Sequence, residues 1–342
     1  VKAVSEFRVL VTARSFGREN NEAVDLLLKA GCEVVRGPHN RPHTAGELTV
    51  LVVEADALIA GNDQVDAAVI AAAPRLKAIS RYGVGYDNVD LAAAAARGIP
   101  VTNTPGTNDD SVADLVFGLL LSLSRQIPAV SALVRQGRWE RLPGTEVSGK
   151  TMGIIGFGRI GRGVAKRAGG FSMQILAADP FVDPETVTRY GAILVSREEV
   201  LRKSDFITLH VPFSKENRNL IGPGELALMK PTALLVNTAR GGLVDEAALA
   251  EALRSGRLAG AALDVLEFEP PRSRELLEME NALVTPHIGG FTSEATAAMS
   301  LLAAQNVVAA LSGHEPPHTV NPEAFEAAAW QEWAKSRRGR MQ

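Results

Sequence analysis

The chain has 342 residues, a formal charge of −3, 46% hydrophobic and 22% charged residues, an ordinary globular balance with room for about two domains. The weak net charge gives no long-range pull on a phosphate backbone and argues against a nucleic-acid partner. A single cysteine, Cys32, excludes an internal disulfide framework and a multi-cysteine metal cluster; no apolar run reaches the ~18 residues of a membrane span and no signal-peptide pattern opens the chain, so a cytoplasmic protein without metal or membrane is expected.

Short apolar runs at 7–12, 32–35, 57–60, 76–80 and 100–102 read as strands. Helical patterns at 20–29, 63–73 and 90–97 lie between them, the first and last closed by Gly31 and Gly98. This alternation predicts βαβ units and a parallel sheet. Pro105-Gly106 interrupts it, and 109–133 reads as one long, mostly apolar helix with a kink before Pro128. An irregular stretch around Trp139 follows, then a second series of strands at 152–155, 174–178, 206–210, 233–237, 260–263 and 283–285. A last long helix spans 292–311, ended by Gly313, and an Ala- and charge-rich tail, 323–342, reads as a surface helix or disordered end. The expected fold class is α/β, with two doubly wound parallel-sheet domains. A Rossmann domain over 105–291 is inserted in a flavodoxin-like substrate domain over 1–104 plus 292–322.

Two glycine-rich motifs compete for a phosphate. Gly144 to Thr151 matches the phosphate loop of nucleotide hydrolases, but that motif works only between a strand and a helix, and here a predicted strand follows it. Gly156-Phe157-Gly158-Arg159-Ile160-Gly161 lies between a strand and a predicted helix. There Gly156 permits the tight turn, Gly158 the approach of a pyrophosphate, and Gly161 close helix–strand packing. Asp179, at the end of the next strand, suits a ribose diol and would repel a 2′-phosphate, which favours NAD over NADP.

Open parallel sheets place ligands beyond the carboxyl ends of their strands. Those ends carry Asp179, then His210-Val211-Pro212, then Asn237-Thr238-Ala239-Arg240-Gly241-Gly242, then Asp264 with Glu267 and Glu269, then His287-Ile288-Gly289-Gly290. Interconverting a 2-hydroxy acid and a 2-oxo acid needs a cation for the carboxylate, which Arg240 can supply with its planar fork. It also needs a group that moves a proton at the C2 oxygen; His287 suits, since an ordinary imidazole titrates near ~6.5. Glu269 can orient that imidazole and favour its protonated form. His39, His43, His314 and His318, in Pro- or Gly-rich loops, are expected at the surface, and His210 is expected to be structural or at the cofactor edge.

These motifs, with Ser80 to Asp90 (SRYGVGYDNVD), Ser124 to Pro128 (SRQIP) and Gly137 to Arg141 (GRWER), resemble the D-2-hydroxyacid dehydrogenases, most similarly their D-3-phosphoglycerate dehydrogenase branch. The resemblance implies an NAD-dependent oxidoreductase of serine biosynthesis, a homodimer built largely through the nucleotide domains, and a catalytic set falling on Arg240, Glu269 and His287. It places Arg159, Ile160, Asp179, Val211, Pro212, Thr238, Ala239, Asp264, Gly289 and Gly290, with Arg240 and His287, along the NAD site, the Asp264 carboxylate accepting from the nicotinamide amide. Backbone N–H groups of Val84 and Gly85, beside Arg240 and His287, would hold the small anionic substrate. The branch carries a phosphate-binding arginine after the third strand, where this chain reads Gly61-Asn62-Asp63; Arg81, or Arg141 from a partner subunit, is the expected substitute. No serine-sensing regulatory module is expected after residue 320. The alternatives are a hydroxypyruvate or glyoxylate reductase, another 2-oxo acid reductase, and a non-enzymatic NADH-sensing corepressor-like scaffold.

Overall fold

A computed structural model describes residues 6–339. The chain divides into two compact units, one running to Asn108 and resuming at Phe291, the other spanning Asp109–Gly290. The first unit carries strands β1 (Phe7–Val11), β2 (Cys32–Arg36), β3 (Ala57–Ala60), β4 (Ala78–Arg81) and β5 (Val101–Thr102). They form a parallel sheet in the order β2-β1-β3-β4-β5. The second carries β6 (Thr151–Ile155), β7 (Gln174–Ala178), β8 (Ala192–Leu194), β9 (Phe206–Leu209), β10 (Leu234–Asn237), β11 (Gly260–Leu263) and β12 (Ala282–Val284). These are parallel as well, in the order β12-β11-β10-β9-β6-β7-β8.

The helices in chain order are α1 (Glu22–Lys29), α2 (Ala45–Leu51), α3 (Ala67–Ala71) and α4 (Leu91–Ala96) in the first unit. The second unit holds α5 (Asp109–Ser124), α6 (Ile127–Arg135), α7 (Arg159–Gly170), α8 (Pro184–Arg189), α9 (Arg197–Lys203), α10 (Pro223–Leu228) and α11 (Glu246–Arg254), and the chain returns to the first with α12 (Ser293–Leu311) and α13 (Ala328–Arg338). Every residue of β3, β4, β9, β10 and β11 is buried. That is the pattern of parallel strands covered on both faces, and it is why they read as continuous apolar runs. In the first unit Phe16, Leu27, Met299 and Val307 pack on one face of the sheet and Leu48, Leu58, Ile79 and Ile99 on the other. Cys32 lies in this core, 2% exposed, and burial, aided by the nearby Asp56 and Glu6 carboxylates, pushes its thiol up to about 11.

Three expectations take a more definite form. The 109–133 helix is two helices bent by 61°, because Gln126 adopts φ 51° and its side-chain amide donates to Pro143 O at 2.7 Å. A residue in the left-handed region cannot continue a right-handed helix. Of the two readings of the tail the structure shows the surface helix, anchored on one side: α13 buries Trp330 (3% exposed) and Ala334 in the first unit's core. Trp333 Nε1 donates to Ala310 O at 3.1 Å, and its ring meets Phe7 edge-on at 5.9 Å. Residues 340–342 of that tail lie outside the described residues. Finally, α12 and the bent α5–α6 pair are long and apolar enough to cross a membrane by composition; α12 buries 56% of that window inside the chain, as a core helix does.

Trp330→Ala should therefore behave as a core truncation, lowering the stability of the first unit by about 3 kcal/mol. The measurement is urea unfolding followed by far-ultraviolet circular dichroism, and an unchanged midpoint would show that α13 does not hold that core.

Candidate active site

The reversal of strand order in the second unit falls at β6, with β9 on one side and β7 on the other. A crevice beyond the carboxyl ends is expected at such a point. The glycine loop leaves β6 there, and each glycine has a distinct task. Gly156 has φ 94°, and a Cβ on it would lie 2.5 Å from His210 O. A Cβ on Gly161 would lie 2.2 Å from Gly156 O, whereas one on Gly158 would meet nothing within 4 Å. The first and third glycines are thus demanded by the chain itself, and the second leaves open space where a ligand backbone can approach. Arg159 and Ile160 open α7 directly behind it, Arg159 exposed and 3.8 Å from Asp109. The competing Gly144–Thr151 motif runs straight into β6 with no helix behind it.

Asp179 stands at the end of β7. Its Oδ2 accepts from Phe157 N at 2.7 Å and its Oδ1 from Phe181 N at 2.9 Å, so it braces the glycine loop and keeps one acceptor position per oxygen. At the neighbouring strand ends, Thr238 Oγ1 and His210 Nδ1 are buried with no hydrogen-bond partner among the described residues. Orphaned polar atoms beside an open glycine fit a polar cofactor. His210 Nε2 lies 2.9 Å from Thr208 Oγ1, and burial pushes its imidazole down to about 3. A ring held neutral in this way cannot be the proton donor near neutrality. Val211 is half-buried and Pro212 exposed, the Pro212 carbonyl accepting from Asn217 Nδ2 at 2.6 Å.

The expected proton-transfer pair, His287 and Glu269, is brought together from two further strand ends. His287 Nδ1 lies 2.8 Å from Glu269 Oε2, and both side chains are about one-third exposed, at 31% and 35%. His287 has φ 55°, unfavourable for a side-chain-bearing residue. Asp264, 1% exposed, holds it there. The Asp264 carbonyl accepts from His287 N at 2.9 Å. Its carboxylate accepts from Thr285 Oγ1 at 2.6 Å, Ile288 N at 2.8 Å and Gly289 N at 2.7 Å. Burial pushes the Asp264 carboxyl up against those donors. Three of its acceptor positions are spent inside the chain, leaving room for at most one more donor. Gly289 O in turn accepts from Ser111 Oγ at 2.6 Å, and Gly290 follows half-buried. Arg240 is half-buried after β10, with Nη1 donating to Ala239 O at 2.7 Å. Asn237 fixes that turn, accepting from Ala239 N at 3.0 Å and donating to Arg240 O at 2.8 Å.

In the first unit Val84 and Gly85 follow β4, half-buried, with Val84 O anchored by Asn103 Nδ2 at 2.8 Å. Arg81 departs from expectation. It is 6% exposed and its guanidinium is spent on the protein: Nε donates to Asn88 Oδ1 at 3.1 Å, Nη2 to Asn62 Oδ1 at 2.7 Å, and Nη1 to Tyr82 O. It holds the loop after β3 instead of presenting an open cation. Arg141 is exposed in the second unit. His43 is a second correction: 2% exposed, it lies with Nδ1 2.9 Å from the buried Asp63 carboxylate, which also takes Thr12 Oγ1 and Gly61 N. His39 and His314 are exposed, and His318 is half-buried.

Sequence reasoning overlooked Asn237 as the brace of Arg240, Asp264 as the anchor of His287, and Glu246, whose Oε1 accepts from Glu267 N at 2.5 Å. The first two stood at strand ends, where an Asn or Asp signals a side-chain-bonded turn. Glu246 carried no signal beyond the helix cap Asp245 before it.

Comparison with known proteins bears on this geometry. The family described as D-isomer specific 2-hydroxyacid dehydrogenase, NAD binding domain, matches residues 117–289. Glyoxylate reductase of Thermococcus litoralis is 46% identical over 293 residues, covering 83% of this chain and 88% of that protein. D-3-phosphoglycerate dehydrogenase of Methanocaldococcus jannaschii is 42% identical over 307 residues, covering 88% of this chain; the chain spans only 58% of that longer protein. Among solved structures, glyoxylate reductase from Paecilomyes thermophila gives a TM-score of 0.81 at 32% identity, over 92% of this chain and 98% of that one. A Thermus thermophilus protein gives 0.83 at 40% identity, over 92% of this chain and 99% of that one.

The glycine loop yields a paired test. Gly161→Ala should disrupt the fold of the second unit, because its Cβ meets backbone. Gly158→Ala should keep the wild-type unfolding temperature yet weaken NADH binding roughly tenfold or more, about 1.4 kcal/mol per tenfold. Fluorescence titration with NADH reads this; full binding by Gly158→Ala would remove the pyrophosphate from that loop.

Proposed function

As a member of the D-isomer specific 2-hydroxyacid dehydrogenase family the chain is an NAD-dependent oxidoreductase of 2-hydroxy acids, and we propose that Arg240, Glu269 and His287 carry its chemistry. The observation that carries this reading is the Glu269–His287 contact of 2.8 Å on a strained, anchored loop. NAD, when bound, supplies the hydride acceptor for C2, and NADH the donor in the reverse direction. In oxidation the imidazole of His287 removes the hydroxyl proton; in reduction it returns one to the same oxygen. Glu269 fixes the ring through Nδ1, and its charge favours the protonated ring. Arg240 holds the substrate carboxylate through its planar guanidinium fork.

Glycine-loop residues Gly156, Gly158 and Gly161, with Arg159 and Ile160, would hold the pyrophosphate, and Asp179 the adenosine ribose. Thr238, Ala239, Val211, Pro212, Asp264, Gly289 and Gly290 would line the remaining length of the cofactor. Two substrate readings follow. D-3-phosphoglycerate is suggested by relatives such as the Methanocaldococcus jannaschii enzyme, and it would place the chain in serine biosynthesis. A small unphosphorylated acid, glyoxylate or hydroxypyruvate, is favoured by the commitment of Arg81 to Asn62, Asn88 and Tyr82, which leaves that arginine holding a loop instead of a phosphate. The lone cysteine, buried and free, agrees with a reducing cytoplasm.

The homodimer proposed here would form through α6 and the segment after it. α6 buries none of its residues, and it exposes Ile127 (49%) and Val134 (48%), next to Trp139 (85%). An apolar face of this kind on a metabolic enzyme fits a second copy of the chain. Trp139→Asp together with Ile127→Asp should convert a dimer to a monomer in sedimentation-velocity runs; an unchanged mass would move the interface elsewhere.

His287→Ala should lower kcat by about 10²–10⁴ while NADH binding stays within about twofold; unchanged turnover would sink the assignment. Asp179→Ala should weaken NAD more than NADP, and equal losses would contradict the ribose contact. Initial rates of NADH consumption with glyoxylate, hydroxypyruvate and 3-phosphohydroxypyruvate separate the two substrates, a preference for the phosphorylated acid overturning the reading from Arg81.

A further inference from the structure

The Glu269–His287 pair hangs from the turn Leu266 to Glu269 that leaves β11, and the neighbouring strand-end loop grips that turn. A Cβ on Gly241 would lie 2.0 Å from the Leu266 carbonyl carbon and 2.3 Å from Glu267 N. The Leu266–Glu267 peptide therefore lies flat against the residue that follows Arg240. The N–H of that peptide donates to Glu246 Oε1 at 2.5 Å, and the preceding N–H, on Leu266, donates to Glu269 Oε1 at 3.3 Å. Glu246 is the first residue of α11, and Asp245 caps that helix by accepting from Ala248 N at 3.0 Å. Gly241, Glu246 and Glu269 thus meet on two consecutive backbone amides.

We propose that Glu246 is a positioning residue for the acid/base pair: its carboxylate clamps the Leu266–Glu267 peptide onto Gly241, keeps Glu269 within reach of His287, and adds a negative charge that strengthens the hold of His287 on its proton. This rests on the assignment of Glu269 and His287 made above. The charged groups around the clamp are Glu267, itself paired with Arg218, together with Asp245 and Glu269. Asp264 lies beneath the His287 loop. Burial first, and then the carboxylates of Glu267, Asp245 and Glu269, hold the Glu246 carboxyl above the usual carboxylate range, as befits a group wedged among like charges. The brace itself would survive replacement by a neutral amide; the effect of the charge on His287 would not.

Two variants of the full chain separate these roles. Glu246→Gln keeps an acceptor for Glu267 N and removes the charge; Glu246→Ala removes both. Proton NMR titration of the histidine rings, without substrate, should show the His287 midpoint lower by about half a pH unit in Glu246→Gln. Glu246→Ala should lose about tenfold in kcat with NADH affinity and unfolding temperature retained, and Glu246→Gln should recover most of that loss. An unmoved His287 midpoint in Glu246→Gln would overturn the charge role. Wild-type kcat in Glu246→Ala, or a kcat loss that only tracks lost NADH binding and lost stability, would overturn the positioning role. Because the titration needs no turnover, an inactive wild type would count against the functional assignment without touching this result.

Discussion

The carboxylate of Asp264 is the fixed point of the second unit. It is almost wholly buried, and a buried carboxylate is tolerable only when its oxygens are hydrogen-bonded. Three donors from one short loop, Thr285 Oγ1, Ile288 N and Gly289 N, satisfy it. The loop is held reciprocally, since any other path would strand the carboxylate at a cost of several kcal/mol. That exceeds the ~1–3 kcal/mol of a side-chain-bearing residue in the left-handed region. His287 therefore accepts its φ of 55°, and the imidazole leaves the loop in one direction, toward Glu269. Rigidity comes from below and access from above: Asp264 is buried, while His287 and Glu269 stay about one-third exposed.

A second constraint sets where such loops can be. Parallel strands all deliver their carboxyl ends to one edge, so residues far apart in sequence, at 156, 179, 210, 240, 264 and 287, must exit on the same side of the second sheet. This is why the convergence of these residues on one edge was legible in the sequence. Fully buried parallel strands write themselves as continuous apolar runs, and the polar residue that ends each run is where ligand chemistry sits. The glycine motif was legible for the same reason, since Gly156 and Gly161 are required by contacts with His210 O and Gly156 O, not by the ligand alone.

What escaped the sequence did so for identifiable physical reasons. β8 is a three-residue edge strand with Ile193 half exposed, too short to stand out. α2 was announced by a capping box, Thr44 with Glu47, which the proline- and histidine-rich loop before it obscured. The kink before Pro128 was legible, but its size was not, because it depends on Gln126 turning left-handed, which its residue type does not announce. α13 has a charged composition, and its anchoring depends on Trp330 and on Gly313, whose own Cβ would lie 2.9 Å from Ala334 O. Such a contact is non-local and leaves no periodic trace. His43 looked like a loop histidine because only the fold brings Asp63 beneath it.

The fate of Arg81 shows how a residue type can be right while its role is not. A guanidinium carries five N–H donors and no acceptor, so it binds an anion or ties together neutral oxygens. Arg81 does the second, linking β4 to Asn62, Asn88 and the Tyr82 carbonyl. The nearby carboxylate of Asp63 is likewise consumed, by His43, Thr12 and Gly61. With both charges absorbed by the scaffold, the loop after β3 is held by hydrogen bonds internal to the first unit. The turn that carries Arg240 is fixed separately, by Asn237. The three residues proposed for the chemistry thus stand in one unit, at ends of parallel strands that deliver them to one edge of its sheet.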